Sequence, residues 1–487
     1  MPANFAMNPA DLIRFLPEII LTIMATLMMV LDPILQRRSS YAFGHLSLVA
    51  LIGALGASVY AYTEAGPAFG GMLMVDGFAT FFRVLVIVVG ILTVLSSYRF
   101  LQRENAETSE YHALLLFSIA GQCLMAASND LIMVFIGLEI SSIASYVMAG
   151  YMRDDKRANE AALKYFLLGS FATAFFLYGV ALIYGSTGSI NLSAVRAVIS
   201  GGDAPSPVFV GLAAALMFVG LAFKVSAAPF QIWAPDVYQG APTPVTAFLS
   251  AGPKAAAFAV FLRIFMTAFE PISAAWLPLV WISALLSMTI GNFAALLQSN
   301  VKRMLAYSSI AHAGYVMVAL GSGPGIGTSA AMFYLAAYAF MNIGAFAVVS
   351  HLSGKGERYQ SVDDFAGLAQ KQPLTAAMLT IFMLSLIGVP LTGGFFGKFY
   401  IFKAALESHL VWLTILGLLN SAVAAFYYLR ILVMMYMHEP GKATSEVEPL
   451  SLGLGTALIV PAIVTLFLGI FPGWVLDFAG KSAALIK

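Results

Sequence analysis

A single cysteine among 487 residues, Cys123, has no partner for an internal disulfide, which excludes a disulfide scaffold and any CxxC redox or zinc motif. Its expected role is to fill apolar space. Charge is scarce too. Only 10% of the residues are Asp, Glu, Lys or Arg, and the formal net charge of +1 points to no partner, so no nucleic acid is expected. The chain has no glycine-rich nucleotide loop and no metal-spaced cluster among its six histidines, so no metal and no cofactor is expected on it. The first residues lack the basic stretch and small-residue cleavage site of a signal peptide, and no long polar segment is left over. Whatever chemistry the chain performs is therefore expected within the bilayer.

What is present is apolar length. Hydrophobic residues make up 60% of the chain, gathered into runs of the roughly 20 residues that an α-helix needs to cross about 30 Å of hydrocarbon. The alternation of a β-barrel is missing. The pattern predicts an all-α polytopic membrane protein of about fourteen transmembrane helices. The spans start near Leu12, Ala42, Asp76, Tyr111, Asn129, Ala158, Pro207, Thr243, Trp276, Lys302, Gly327, Pro373, Leu410 and Leu450. With the N-terminus outside, the inner loops hold Arg37, Arg38, Arg99, Arg103, Arg153, Lys156, Arg157, Lys302, Arg303, Lys355, Arg358, Lys371 and Lys442. The outer segments hold only Arg196, Lys403, Lys481 and Lys487. That bias places both termini on the outer side.

Eight basic residues remain within the spans. Arg14, Arg83, Arg263 and Arg430 stand near span ends or beside aromatic rings and are expected to snorkel to the headgroups. Lys164 follows Glu160 by four residues, so an i,i+4 ion pair competes with a functional role. Lys224, Lys254 and Lys398 are deeper. Lys254, for example, lies eleven residues, or about 16 Å, into its span. Three such lysines cost on the order of 8 to 10 kcal/mol before any pairing. A structural ion pair for each is the plain alternative, but Glu139 is the one obvious acid at that depth. The hydroxyls of Ser141, Ser142 and Ser145 follow it in "VFIGLEISSIASY". His312 in "AYSSIAHAGY" is a relay candidate or a satisfied helix contact, with nothing in the sequence to separate the two.

Two spans carry helix breakers beside a lysine. In "GVPLTGGFFGKFYIF", Pro390 leaves the Leu386 carbonyl without its N–H, and Gly393, Gly394 and Gly397 weaken the helix that follows. In "FKVSAAPFQIWAPDVYQGAPTP", Pro229 and Pro235 do the same to the carbonyls of Val225 and Gln231. The seventh and twelfth spans are expected to be discontinuous, with internal hydrated sites at the breaks. They are five spans apart, an odd number, which predicts inverted five-helix repeats. The resulting division is an N-terminal three-helix segment at 1–110, repeats at 111–271 and 272–438, and a C-terminal helix at 439–487.

Burial favours a neutral lysine and a nearby carboxylate favours a charged one, so Glu139 and Lys224 form a candidate protonation switch. Continued through Lys254 and His312 to Lys398, the series reads as a proton path with waters between its members. Uphill transfer needs an energy source, and with no cofactor site of its own the chain must take it from a partner or another ion's gradient.

At these residues the chain resembles the antiporter-like family shared by respiratory complex I and the multisubunit cation/proton antiporters. The likeness spans nearly the whole chain and is strongest in "GLEISSIASYVMAGY", "FKVSAAPFQIWAPDVYQGAPTPVTAFLSAGPKAAAF" and "GVPLTGGFFGKFYIF". The resemblance implies that Glu139 modulates Lys224, Lys254 links two half-channels, and Lys398 exchanges protons with the outer side. It also implies a bacterial inner-membrane location among lipids, with subunits M and K and the lateral helix of subunit L as neighbours. NADH, FMN, iron-sulfur clusters and quinone would belong to other subunits. A cation/proton antiporter subunit without redox partners is the main alternative; a membrane scaffold whose charges only fix packing is the second.

Overall fold

The computed structural model describes residues 8–35, 42–201 and 206–484. Arg37, Arg38 and Lys487 of the charge count lie outside the described residues. The chain is helical almost throughout. A short α1 (Pro9–Arg14) leads into α2 (Leu16–Leu35), α3 (Ala42–Ala61), α4 (Gly77–Arg103) and α5 (Ser109–Ala127). Next come α6 (Leu131–Ala149), α7 (Lys156–Thr187), the surface helix α8 (Leu192–Ser200), α9 (Pro207–Lys224), the short α10 (Ala234–Gly240) and α11 (Thr243–Arg263). The second half holds α12 (Ser273–Leu296), α13 (Val301–Gly321), α14 (Ile326–Leu352), the one-turn α15 (Leu368–Lys371), α16 (Pro373–Ile387), α17 (Gly393–Glu407) and α18 (Val411–Met437). The chain closes with α19 (Lys442–Glu446), α20 (Leu452–Ile470) and α21 (Gly473–Ala483).

Twelve helices among the described residues are long and apolar enough to cross a membrane. The two span starts without such a helix fall on α5, which opens on the polar Ser109–Glu110, and on α16, which is apolar but only 15 residues long. Polar residues set the helix starts. Asp76, Asp130, Asp155 and Asn300 each cap a following helix by accepting from its first free N–H groups. An antiparallel hairpin, β1 (Gly66–Ala68) with β2 (Leu73–Val75), lies between α3 and α4.

With apolar residues on every face, burial is decided by position in the bundle. The helix of α11 is buried along its whole length, α14 nearly so, and both pack on α4. In contrast α2, α7 and α18 present Ile23, Leu27, Phe171, Tyr178, Leu419 and Phe426 outward, the surface that hydrocarbon would cover. The lysine-bearing helices α9, α11 and α17 thus sit against the middle of the molecule.

Two of the expected snorkelling arginines do something else. Arg83 is fully buried and pairs with Glu18 of α2 at 2.6 Å. Arg263 holds the capping carboxylate of Asp76 through two bonds of 3.0 and 3.1 Å. Each found an acid on a distant helix, and a guanidinium paired inside the bundle gains more than one stretched toward the headgroups. Arg14 binds the carbonyls of Glu64 and Pro67 beside the hairpin.

Candidate functional site

The first break follows α9, whose last residue is Lys224. Residues 225–233 are irregular, and Pro235 stands just inside the start of α10, where a missing N–H does no harm. The loose backbone is held by side chains. Trp233 donates its Nε1–H to the Phe223 carbonyl at 2.9 Å; Ser283 of α12 donates to the Ala228 carbonyl, and Ser287 accepts from the Ala228 N–H. The carbonyl of Gln231 is taken up by the Ala234 N–H. Protein groups fill much of the role that the sequence assigned to water.

Lys224 is buried and donates to Ser142 Oγ at 2.8 Å and to Tyr165 Oη at 3.3 Å, between the rings of Tyr146 and Tyr165. Ser142 lies three residues after Glu139, so the lysine reaches the helix of the carboxylate without an ion pair to it. Glu139 Oε1 is buried and has no partner among the described residues. Lys164, half-exposed, pairs with Glu160 at 2.6 Å and also with Asp236 at 2.7 Å. The Asp236 carboxylate bridges onward to Arg303 of α13 at 2.6 Å. This cluster joins α7, α10 and α13; in a linear reading Asp236 carried no signal and Arg303 only that of an inner-loop charge.

The second break separates α16 from α17, with Pro390 in the turn between them. The Leu386 carbonyl that Pro390 deprives of a partner accepts instead from Lys398 Nζ at 3.0 Å. The same ammonium donates to the Ile387 carbonyl and to Ser421 Oγ, each at 2.8 Å. Lys398 thus caps the severed end of α16, where helix carbonyls point without partners. The glycines after the break serve approach rather than weakness. A Cβ on Gly394 would lie 1.9 Å from the Ser385 carbonyl oxygen, and one on Gly397 would lie 2.4 Å from the Tyr334 ring; on Gly393 it would meet Leu468 Cβ at 3.0 Å. An apolar cleft between α17 and α18 runs from Lys398 past Ser421 and Thr414 to Lys403 and Glu407.

Between the breaks lies Lys254, which donates to the Ser309 carbonyl at 2.9 Å and to its hydroxyl. The next residue back, Ser308, shares a hydrogen bond with Tyr428, which bonds His312 Nε2 at 3.1 Å; His312 Nδ1 meets Tyr334 at 2.5 Å. His312 lies within electrostatic reach of both Lys254 and Lys398. The imidazole thus bonds a chain that ends at Ser308, the neighbour of the Lys254 partner Ser309, while Lys398 approaches it across the ring of Tyr315, 4.9 Å from the ammonium. No such direct chain joins Lys224 to Lys254. Around that gap Ser226 Oγ, Gln231 Oε1, Tyr238 Oη and Tyr338 Oη are buried without partners among the described residues, as suits groups that bind water.

None of Lys224, Lys254 and Lys398 forms an ion pair with a described acid. The structure therefore sets His312 beside the serine pair that holds Lys254, brings Lys398 to its other side across the Tyr315 ring, leaves Lys224 with Glu139 across a gap, and puts Lys164 in a separate charged network. Tyr334, Tyr428, Ser309 and Ser421 are the members that the sequence reading missed. Ser308 and Ser309 had a faint signal in their position one turn before His312; Tyr428 had none, being 116 residues from its imidazole partner.

The model of the family described as NADH:quinone oxidoreductase/Mrp antiporter, TM, matches residues 128–424. The chain is 78% identical over 487 residues to NADH-quinone oxidoreductase subunit N 1 of Solibacter usitatus (strain Ellin6076), covering 100% of each chain. A chain of respiratory complex I from Thermus thermophilus with bound aureothin aligns with a TM-score of 0.80 at 35% identity, covering 95% of this chain and 98% of that one. A chain of the Mrp complex from Dietzia sp. DQ12-45-1b aligns with a TM-score of 0.82, covering 99% and 98%, but at 22% identity it bears on the fold alone.

Proposed function

The chain belongs to the NADH:quinone oxidoreductase/Mrp antiporter transmembrane family, and on that footing we propose that it acts as a subunit-N-type proton-translocating membrane subunit of NADH:quinone oxidoreductase. In this reading protons pass from the inner side through Glu139 and Lys224 to Lys254, His312 and Lys398. The cleft along Ser421 and Thr414 then leads toward Glu407 and the outer side. The observation that carries the reading is the set of three buried ammonium groups without a described acid partner, two of which flank one histidine, Lys254 by way of Ser309, Ser308 and Tyr428 and Lys398 across the Tyr315 ring. A lysine held only by carbonyls and hydroxyls has partners for its charged form and little that forbids the neutral one, as a relay requires.

The finer architecture belongs to the same proposal. Adding α5 and the α16–α17 pair to the twelve long helices gives fourteen crossings, and α9–α10 and α16–α17 are the two discontinuous ones. The repeats at 111–271 and 272–438 are then inverted copies, and both termini lie outside a bacterial inner membrane. Subunits M and K and the lateral helix of subunit L are the proposed neighbours. NADH, FMN, iron-sulfur clusters and quinone are assigned to the rest of the assembly.

The test is proton pumping by assembled complexes in sealed vesicles. Lys224→Ala and Lys398→Ala are each expected to leave assembly intact and lower the protons moved per NADH oxidised. Full pumping by either assembled variant removes the path. Sodium-dependent proton exchange that persists without NADH oxidation favours the antiporter alternative, and loss of assembly in both variants favours the scaffold.

A further inference from the structure

The most poorly satisfied charges in the bundle are not on the lysine path. Glu18 of α2 and Arg83 of α4 meet through one contact, Arg83 Nη2 to Glu18 Oε1 at 2.6 Å, with side chains 3% and 0% exposed. The rest of both groups is left over. Among the described residues, Glu18 Oε2, Arg83 Nε and Arg83 Nη1 are buried without a partner, and so is Thr80 Oγ1, three residues before Arg83 on the same helix. A guanidinium carries five N–H donors, so a pair that uses one of them is a poor reason to place two charges at this depth.

The neighbouring groups show how the site continues. Asp76, Thr80 and Arg83 stand at i, i+4 and i+7, which puts them on one face of α4 over about 10 Å. At the outer end of that column, in the proposed orientation, Asp76 holds Arg263, whose Nε is again unpartnered. From α5, Cys123 packs within electrostatic reach of both Glu18 and Arg83. Arg83 and Cys123 are the charged and titratable groups that face Glu18 among the described residues.

We propose that Glu18, Arg83 and Thr80 enclose a small group of ordered waters, and that Glu18 is a proton-exchanging carboxylate supplied from the Asp76 end of α4. Three such atoms on Thr80 and Arg83, one turn apart on α4, and a fourth on Glu18 of α2 offer a water the two to four partners it needs. Water beside a buried carboxylate also gives its proton a way in and out. With Glu18 ionised the pair is neutral; with Glu18 protonated the site carries the single charge of Arg83. The opposite arrangement, a dry clamp between α2 and α4, leaves the same atoms unsatisfied. The site stands apart from the lysine path and does not depend on it.

Cys123 is the only cysteine of the chain, and it is buried within electrostatic reach of the pair, which makes it a native reporter. X-ray hydroxyl-radical footprinting of the intact complex in oxygen-18 water is expected to oxidise Cys123 despite its burial, because radicals form on bound water. Replacing the pair together by apolar residues of similar size, Glu18→Leu with Arg83→Met, is expected to lower that labelling several-fold. Glu18→Gln keeps the shape and supplies the second arm. A carboxyl C=O band that responds to bulk pH in infrared difference spectra of the wild type is expected to vanish in this variant. An unlabelled Cys123 in the wild type, or identical infrared spectra for wild type and Glu18→Gln, overturns the proposal.

Discussion

Tyr428 is the one residue of the central cluster that touches both sides of it. Its hydroxyl meets Ser308, beside the Lys254 partner Ser309, and also His312 Nε2. Phenylalanine at this position keeps the ring and deletes the connection. Tyr428→Phe is expected to cost about 1–3 kcal/mol of stability, because the imidazole nitrogen is left unpaired. Proton transfer should fall by at least about tenfold, since a proton must then cross the gap without an intervening hydroxyl. Tyr427→Phe is the matched control. It loses a bond to Asn292 Oδ1 of 3.0 Å and none to the imidazole, and should cost similar stability while pumping normally. Proton uptake by reconstituted complexes, read beside thermal melting, separates the two. The chemistry at this scale was partly legible in sequence. Lysine and glutamate inside apolar runs announce themselves by their cost. A serine or tyrosine does not, because its hydroxyl sits in a helix at little penalty by bonding the carbonyl one turn back, as Ser142 does with Leu138.

At the scale of elements, the breaks were readable because proline and glycine act locally. What they were for was not, because it depends on what packs against them. Gly394 and Gly397 read as helix weakeners, yet each lets α17 lie flush against a neighbour, one against the α16 backbone and one against the Tyr334 ring. The two positions should therefore fail differently. Gly394→Ala drives a methyl into a backbone carbonyl that has nowhere to move, with an expected loss of at least about 1–3 kcal/mol and reduced yield of the assembled complex. Gly397→Ala meets a side chain that can swing aside. Assembly should survive, but Tyr334 would be pushed off His312 and pumping should drop. Comparing assembled yield with pumping per assembled complex checks both. The arginine pairs carry the same lesson. Arg83 and Glu18 are 65 residues apart, and nothing in either span names the other.

For the whole molecule the question is whether the three lysines serve one path or several. Lys224 ends α9, Lys254 lies in the central α11, and Lys398 caps α16 from α17, so they belong to three separate parts of the bundle. Lys254 approaches His312 through Ser309, Ser308 and Tyr428, Lys398 approaches it across the Tyr315 ring, and buried hydroxyls without described partners lie before Lys254. On the proposed path these groups act in series. Steps in series are not additive, since removing one link removes the flux through all of them. Lys224→Ala, Lys398→Ala and the double variant are therefore expected to fall to the same residual number of protons per NADH. A double variant clearly below both singles would mean that each lysine feeds a path of its own. The comparison requires equal assembly in all three. That is expected, because none of the three lysines anchors an ion pair, so removing one strands no described carboxylate in the hydrocarbon.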